Sequence, residues 1–441
     1  MTRWPPGVAL AGRRAPGAGL AGRWPPGAML AGRWQPGAAL GLALLAGAAP
    51  ARANGRFPGA RQVAIAPTDP STLLLRTTFG QMLSRDGGRS FHWVCEEAIG
   101  YGGTQDPAVA LTADGTLLNA AYEGTSVSHD GGCAWAFSDG LAARYSTDLT
   151  LDASSPSRAL VITAADPPSQ TPAQCWQTLD DARHWAPLGA LPTAFFPQNV
   201  DLARSRPQRV YITGLQNGGS ASVPTLLRSD DGGLTWEARV VPVAPGRNVY
   251  LSAVDPLDPA RLYVRVEDPT ADELLVSTDG GDTYTSLHQL PGGMLGFALS
   301  PDGARVAIGG PSGGVLVAGR DGGVFTTRSA TPVTCLAWSM EGLYACGVDE
   351  IASGFALGRS TDEGVTFTPL LGALGDTCGP LTTCGAATTY AQLCPGRWPP
   401  LATQLRVASG PPAACTAASG GGSGGQAGSG GQAGSGGQAG S

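Results

Sequence analysis

From residue 60 onward, short apolar runs alternate with clusters of Gly, Pro and Asp. Gln62-Val63-Ala64-Ile65-Ala66 reads as a strand and Pro67-Thr68-Asp69-Pro70 as a turn. Thr72 to Thr78 reads as a second strand, Gln81 to Ser84 as a third and Phe91 to Cys95 as a fourth. Short apolar runs bounded by turn formers are the expected signal for strands. The phrasing returns further on, with strands predicted at Tyr250 to Val254, Arg261 to Val266, Glu273 to Ser277 and Thr283 to Leu287.

The turn between the third and fourth strands recurs. Its copies are Ser84 to Phe91, Ser128 to Trp135, a degraded Thr178 to Trp185, Ser229 to Trp236, Ser277 to Tyr284, a shortened Arg320 to Phe325, and Ser360 to Phe367. With Asp86, Asp130, Asp180, Asp231, Asp279, Asp321 and Asp362 as register marks, the spacing is 41 to 51 residues. That is the length of one four-stranded propeller blade. The fold class expected is therefore all-β, a β-propeller of seven four-stranded blades. The turn's residue types have a physical reason. Ser and Asp oxygens accept bonds from the backbone N–H groups of a tight loop. The aromatic at the eighth position opens the last strand and can pack between neighbouring sheets. Seven copies at one spacing point to structural Asp residues, since one catalytic or calcium site does not need seven.

This pattern, Ser-x-Asp-x-Gly-x-Thr-Trp, resembles the Asp-box or BNR repeat. That family includes sialidases, sortilin-type receptors, photosystem II assembly factors and many secreted bacterial proteins. The resemblance covers roughly residues 60–372, and it implies a box on the face away from the ligand site. It is specific for fold and weak for function. The sialidase features that the resemblance would imply do not carry over. Arg56-Phe57-Pro58 does not match the Phe-Arg-Ile-Pro-like motif, and no Tyr–Glu pair can be matched by motif.

Composition adds a compartment and removes some functions. Gly (66) and Pro (36) are abundant among 441 residues, so turns are frequent and long helices unexpected. The net charge is −6, and every basic residue is Arg. Scattered Arg on an acidic chain reads as codon bias and leaves no nucleic-acid footprint. Residues 1–53 read as a signal-peptide region. A Pro/Gly repeat opens it, Met29 is the expected true start, Ala38 to Ala49 is the apolar stretch and Ala51-Arg52-Ala53 the cleavage site. No later run is long and apolar enough to be expected to span a membrane. The expected location is outside the cytoplasm of a bacterium: extracellular, on the cell surface or in the periplasm. Residues 54–372 are then expected to form the propeller, 373–418 a Cys-rich segment and 419–441 a Gly/Ser/Gln/Ala-rich disordered linker.

In an exported chain, nine Cys are expected to form disulfides and to leave one over. Cys335 and Cys346 flank the turn Ser339-Met340-Glu341-Gly342, so pairing Trp338 with Leu343 sets the two Cys opposite one another. Cys95 and Cys133 lie in adjacent blades and are placed to bridge them. Cys378, Cys384, Cys394 and Cys415 allow three pairings, and Cys175 has no evident partner. No spacing suggests a zinc site, a phosphate loop, a nucleophile elbow or a His-Glu-x-x-His helix, so neither metal nor cofactor is expected.

A ligand would meet the loops opposite the boxes, which join the second strand to the third and one blade to the next. Loops on a rigid scaffold carry function more often than the scaffold does. The candidates there are Glu96, Glu97, Tyr101, Gln105, Asp106, Arg144, Tyr145, Gln216, Asn217, Arg247, Tyr250, Asp349 and Glu350. Phe195 and Phe196 are expected to pack beneath their loop. The function these observations favour is a non-catalytic binding or scaffold protein, a monomer, whose ligand is an extracellular glycan or protein. The alternative is a sialidase-like glycoside hydrolase, which requires a carboxylate pair in the central cleft.

Overall fold

The computed structural model describes residues 57–102, 105–166, 171–408 and 415. The expected signal-peptide region and the repetitive tail after residue 418 lie outside the described residues.

Seven four-stranded antiparallel sheets follow one another along the chain. Blade 1 is β1 (Ala60–Ile65), β2 (Leu73–Thr77), β3 (Gly80–Ser84) and β4 (His92–Val94). Blade 2 is β5 (Ala108–Leu111), β6 (Leu117–Ala121), β7 (Gly124–Ser128) and β8 (Ala136–Ala142). Blade 3 is β9 (Ser146–Leu151), β10 (Ala159–Thr163), β11 (Gln174–Thr178) and β12 (Ala186–Ala190). Blade 4 is β13 (Phe195–Leu202), β14 (Val210–Asn217), β15 (Ser222–Ser229) and β16 (Glu237–Val240). Blade 5 is β17 (Val249–Val254), β18 (Leu262–Val266), β19 (Ala271–Ser277) and β20 (Thr285–Pro291). Blade 6 is β21 (Gly296–Leu299), β22 (Arg305–Gly310), β23 (Gly314–Gly319) and β24 (Thr326–Ser329). Blade 7 is β25 (Val333–Ser339), β26 (Gly342–Gly347), β27 (Leu357–Ser360) and β28 (Thr368–Leu371).

The two middle strands of each blade are almost wholly buried, as in β6, β10 and β22. Apolar clusters lie between successive blades. One joins Leu160, Ile162 and Leu227 of blades 3 and 4, and another joins Leu226, Leu251 and Val264 of blades 4 and 5. The aromatic that follows each repeated turn wedges into these seams: Trp185, Trp236, Tyr284 and Phe367 at the margins, Phe91, Trp135 and Phe325 fully inside. Polar stitches cross the same seams near the axis. Asp148 of β9 accepts from Asn199 Nδ2 (3.0 Å) and Val200 N (3.1 Å) of β13, and Asp201 of β13 accepts from Val254 N of β17 at 2.8 Å.

The repeated turn is held by its own side chains. In blade 4, Ser229 Oγ donates to Asp231 Oδ1 at 2.7 Å and accepts from Gly233 N. Asp231 also accepts from Leu234 N, Thr235 N and the Thr235 hydroxyl. Equivalent cages surround Asp86, Asp130, Asp180, Asp279 and Asp362. Gly233, at φ +98°, takes the left-handed conformation that the cage requires. Asp321 departs from the expected pattern. Gly319 stands where the other turns have Ser or Thr and the loop is one residue shorter, so no cage forms. Asp321 instead lies exposed beside Arg261 (3.6 Å) and Arg320 (3.8 Å).

The ring closes without a blade shared between the two ends of the chain. β1 packs beside β25, the innermost strand of blade 7, and the Thr334 hydroxyl donates to Ala60 O at 2.8 Å. The contact is thus between inner strands, not between β1 and the last strand of blade 7. Beyond β28 the chain returns over blade 1. Cys378 N donates to Phe91 O and Trp93 N to Gly379 O, each at 2.8 Å, which adds a short parallel bridge to the edge of β4. α3 (Thr389–Leu393) and α4 (Trp398–Gln404) follow.

This segment decides the disulfides. Cys95 and Cys133 do not bridge each other. Cys95 bonds Cys394, Cys133 bonds Cys384 and Cys378 bonds Cys415. The reason is that the returning segment lies against both blades and brings a thiol to each. Cys335–Cys346 spans its hairpin, with Trp338 opposite Leu343 as the spacing predicts. Cys175 is free and buried, and burial pushes its thiol up to about 12.

Candidate functional site

Strand direction gives the ring two unlike faces. The repeated turns and the connections from each first strand to the second share one face. The connections from second to third strand, and from blade to blade, share the other.

On this second face three aromatic rings from blades 2 to 4 form a row. Tyr122 sits in the turn between β6 and β7, Tyr145 in the connection to blade 3, and Phe196 at the start of β13. Tyr122 and Tyr145 are 5.1 Å apart between ring centroids, and Tyr145 and Phe196 are 6.1 Å apart. Tyr122 is 62% exposed and Phe196 38%. Gln105 bonds the Tyr145 hydroxyl, which burial nevertheless shifts upward. The Arg144 guanidinium lies 5.1 Å from the Trp176 ring.

A polar network continues along blades 4 and 5. Gln198 Nε2 donates to Asn248 Oδ1 at 3.1 Å, and Asn248 Nδ2 donates to Glu267 Oε2 at 2.8 Å. The Tyr250 hydroxyl reaches the same carboxylate at 3.4 Å, and Arg265 lies 4.5 Å from the Tyr250 ring. Burial, then the nearby Glu267 charge, pushes the Tyr250 phenol up to about 12. Arg247 pairs with Asp268. Gln198 Oε1 and Asn199 Oδ1 are buried acceptors without a hydrogen-bond partner.

The structure thus brings Gln105, Arg144 and Tyr145 together around the aromatic row, and Arg247 and Tyr250 into the adjoining network. The other candidates serve the fold or stand apart. Tyr101 is buried at 3% exposure. Glu96 and Glu97 open the short helix α1 (Glu96–Ile99), and Glu97 pairs with Arg397 at 2.9 Å. Asp106 lies in the connection from α1 to β5. Gln216 ties β14 to Thr193 O, and Asn217 holds the turn at Gly219. Asp349 caps the short helix α2 (Glu350–Ser353) through Ile351 N and Ala352 N, with Glu350 in its first turn.

The sequence reading missed Tyr122 and misplaced Phe196. Phe195 is buried, as expected, but β13 begins there, so its neighbour must face the other way. Among the described residues no group of three His, Cys, Asp or Glu is arranged to hold a metal ion, and no helix is long and apolar enough to cross a membrane.

No protein-family model matches the sequence, and no curated protein matches it. Solved structures do resemble it. A GH74 xyloglucanase from Xanthomonas campestris is 17% identical over 70% of this chain, with a TM-score of 0.43. An ancestral GH74 enzyme is 14% identical over 71% of the chain, with a TM-score of 0.46. The chain spans 60% of the first and 38% of the second. YCF48 from Cyanidioschyzon merolae is 13% identical over 72% of this chain and 87% of its own, with a TM-score of 0.38.

Proposed function

We propose that this chain is an exported, non-catalytic binding propeller of the Asp-box type. Its ligand, an extracellular glycan, docks on the loop face over blades 2 to 4. The observation that carries this reading is the row Tyr122, Tyr145 and Phe196 beside the Gln198–Asn248–Glu267 network. Exposed aromatic faces offer apolar contact, and fixed amides and a carboxylate next to them offer oriented hydrogen bonds. Sugar rings present both an apolar C–H face and a rim of hydroxyls, so the two chemistries match. The four disulfides fit an oxidising compartment. Six intact cages fit Asp-box turns in their structural role.

Two assays on the purified protein test this. A glycan array is expected to give a saturable ligand, and a fluorogenic glycoside panel, sialosides included, is expected to give no turnover. Hydrolysis abolished by replacing a carboxylate of the loop face would make the chain a glycosidase and overturn the non-catalytic reading.

A further inference from the structure

The opposite face holds a cavity with a largely apolar lining. The ends of the innermost strands of blades 1, 3, 4, 5, 6 and 7 enclose a pit of about 820 Å³ on the axis of the ring, on the face that carries the repeated turns. That is within the usual size of a small-molecule site, about 300–1,000 Å³. Its wall is mostly hydrocarbon, with Ile65, Leu151, Leu299 and Trp338 at the strand ends and Met340, 87% exposed, at the mouth. A purely solvent-filled channel has no need of such a lining, since apolar surface left in water is unfavourable by roughly 25 cal/mol per Å².

Two charged residues line the pit, Asp201 and Arg204. They are not equivalent. Asp201 is committed to the fold: it accepts from the Thr150 hydroxyl (3.1 Å), Leu202 N (2.8 Å) and Val254 N (2.8 Å). Arg204 is exposed and makes no hydrogen bond or ion pair among the described residues. Most other guanidiniums of this face are paired, as Arg209 is with Asp230 and Arg320 with Asp255. The pit therefore presents an apolar interior and, at its rim, one exposed cation with no protein partner among the described residues.

We propose that this pit binds a medium-chain carboxylic acid, its hydrocarbon chain inside the ring and its carboxylate on Arg204. The site is separate from the loop-face row, and the proposal stands whether or not that face binds a glycan. The probe is decanoate, titrated calorimetrically into the full chain below its micellar concentration, with 1-decanol as the uncharged comparison. Saturable binding of decanoate, tighter than decanol, is expected. Arg204→Gln is expected to weaken decanoate about 3- to 10-fold and to leave decanol unchanged. Met340→Glu, which sets a like charge at the mouth, is expected to weaken decanoate as well. Both positions are exposed, so the variants fold. No saturable decanoate binding, equal affinity for acid and alcohol, or binding that both substitutions leave intact would each overturn the proposal.

Discussion

Asp86 accepts from the Ser84 hydroxyl, Arg89 N, Ser90 N and the Ser90 hydroxyl, so one half-buried carboxylate satisfies four donors of the turn. Removing an acceptor of this kind strands several donors, at a cost of about 1–3 kcal/mol. Thermal unfolding of Asp86→Ala is expected to show that loss. Asp321→Ala, at a position with no cage, is expected to stay within about 0.5 kcal/mol. Equal losses in the two variants would mean that the cage does not hold the turn. Asp148 behaves in the opposite sense to the caged carboxylates. Burial is the main cause that raises its carboxyl from the ordinary 3.8 to about 6, against hydrogen bonds from Asn199 and Val200 that favour the anion. An acid raised on folding stabilises the native state below its unfolded pKa, and that contribution is lost as pH rises through the folded value. Between about pH 4 and 6, Tm is therefore expected to fall in the native protein, and this part of the decline to vanish in Asp148→Asn; parallel profiles would refute it. The caged Asp362, held down to about 2 chiefly by the Thr366 hydroxyl, acts in the other window: its contribution is lost as pH falls from about 4 towards 2. The cage residues were legible in the sequence because each turn carries all its own partners. Asp148 was not, because its partners Asn199 and Val200 come from the next blade.

At the scale of the element, β4 differs from every other outermost strand. Trp93 and Val94 are buried, whereas β8, β12, β16 and β24 are largely exposed. The cover is the segment after β28. It pairs with β4, stacks Trp398 near Trp93 at 5.5 Å and sets Tyr390 N on Cys133 O at 3.0 Å. Open strand edges invite unwanted pairing, and covering one with chain is a standard remedy. Cys95–Cys394 and Cys133–Cys384 fasten the cover across 299 and 251 residues. Cross-links over such long loops contribute about 2–5 kcal/mol each. Cys394→Ser is expected to lower stability by that order and to raise hydrogen exchange in β4 before the other strands. Uniform exchange across all blades would contradict a local clasp. Here the limit of the sequence is plain. The hairpin bridge Cys335–Cys346 follows from local register, while the partners of Cys95 and Cys133 depend on a path that no local pattern encodes.

Across the whole molecule, the propeller is a ring whose two ends meet side by side and are then clasped from outside. Blade number and the division into two faces follow from the spacing of the repeated turns, so both were legible in the sequence. The proposed ligand surfaces were legible only in part. Long polar loops pointed to the face where Tyr145, Arg144 and Gln105 gather, but Asp349 and Gln216 proved to be internal braces of their own loops. Tyr122 stands in a turn too short to attract notice, and the apolar pit arises only when six strand ends meet at the axis. The aromatic row of the loop face is the proposed principal ligand surface. It is tested most directly by measuring the affinity of the best array glycan for the native protein and for Tyr122→Ala/Phe196→Ala. Loss of two stacking rings is expected to weaken binding about 10-fold or more while the unfolding transition stays in place. Undiminished affinity in the double variant would put the ligand elsewhere and contradict the account.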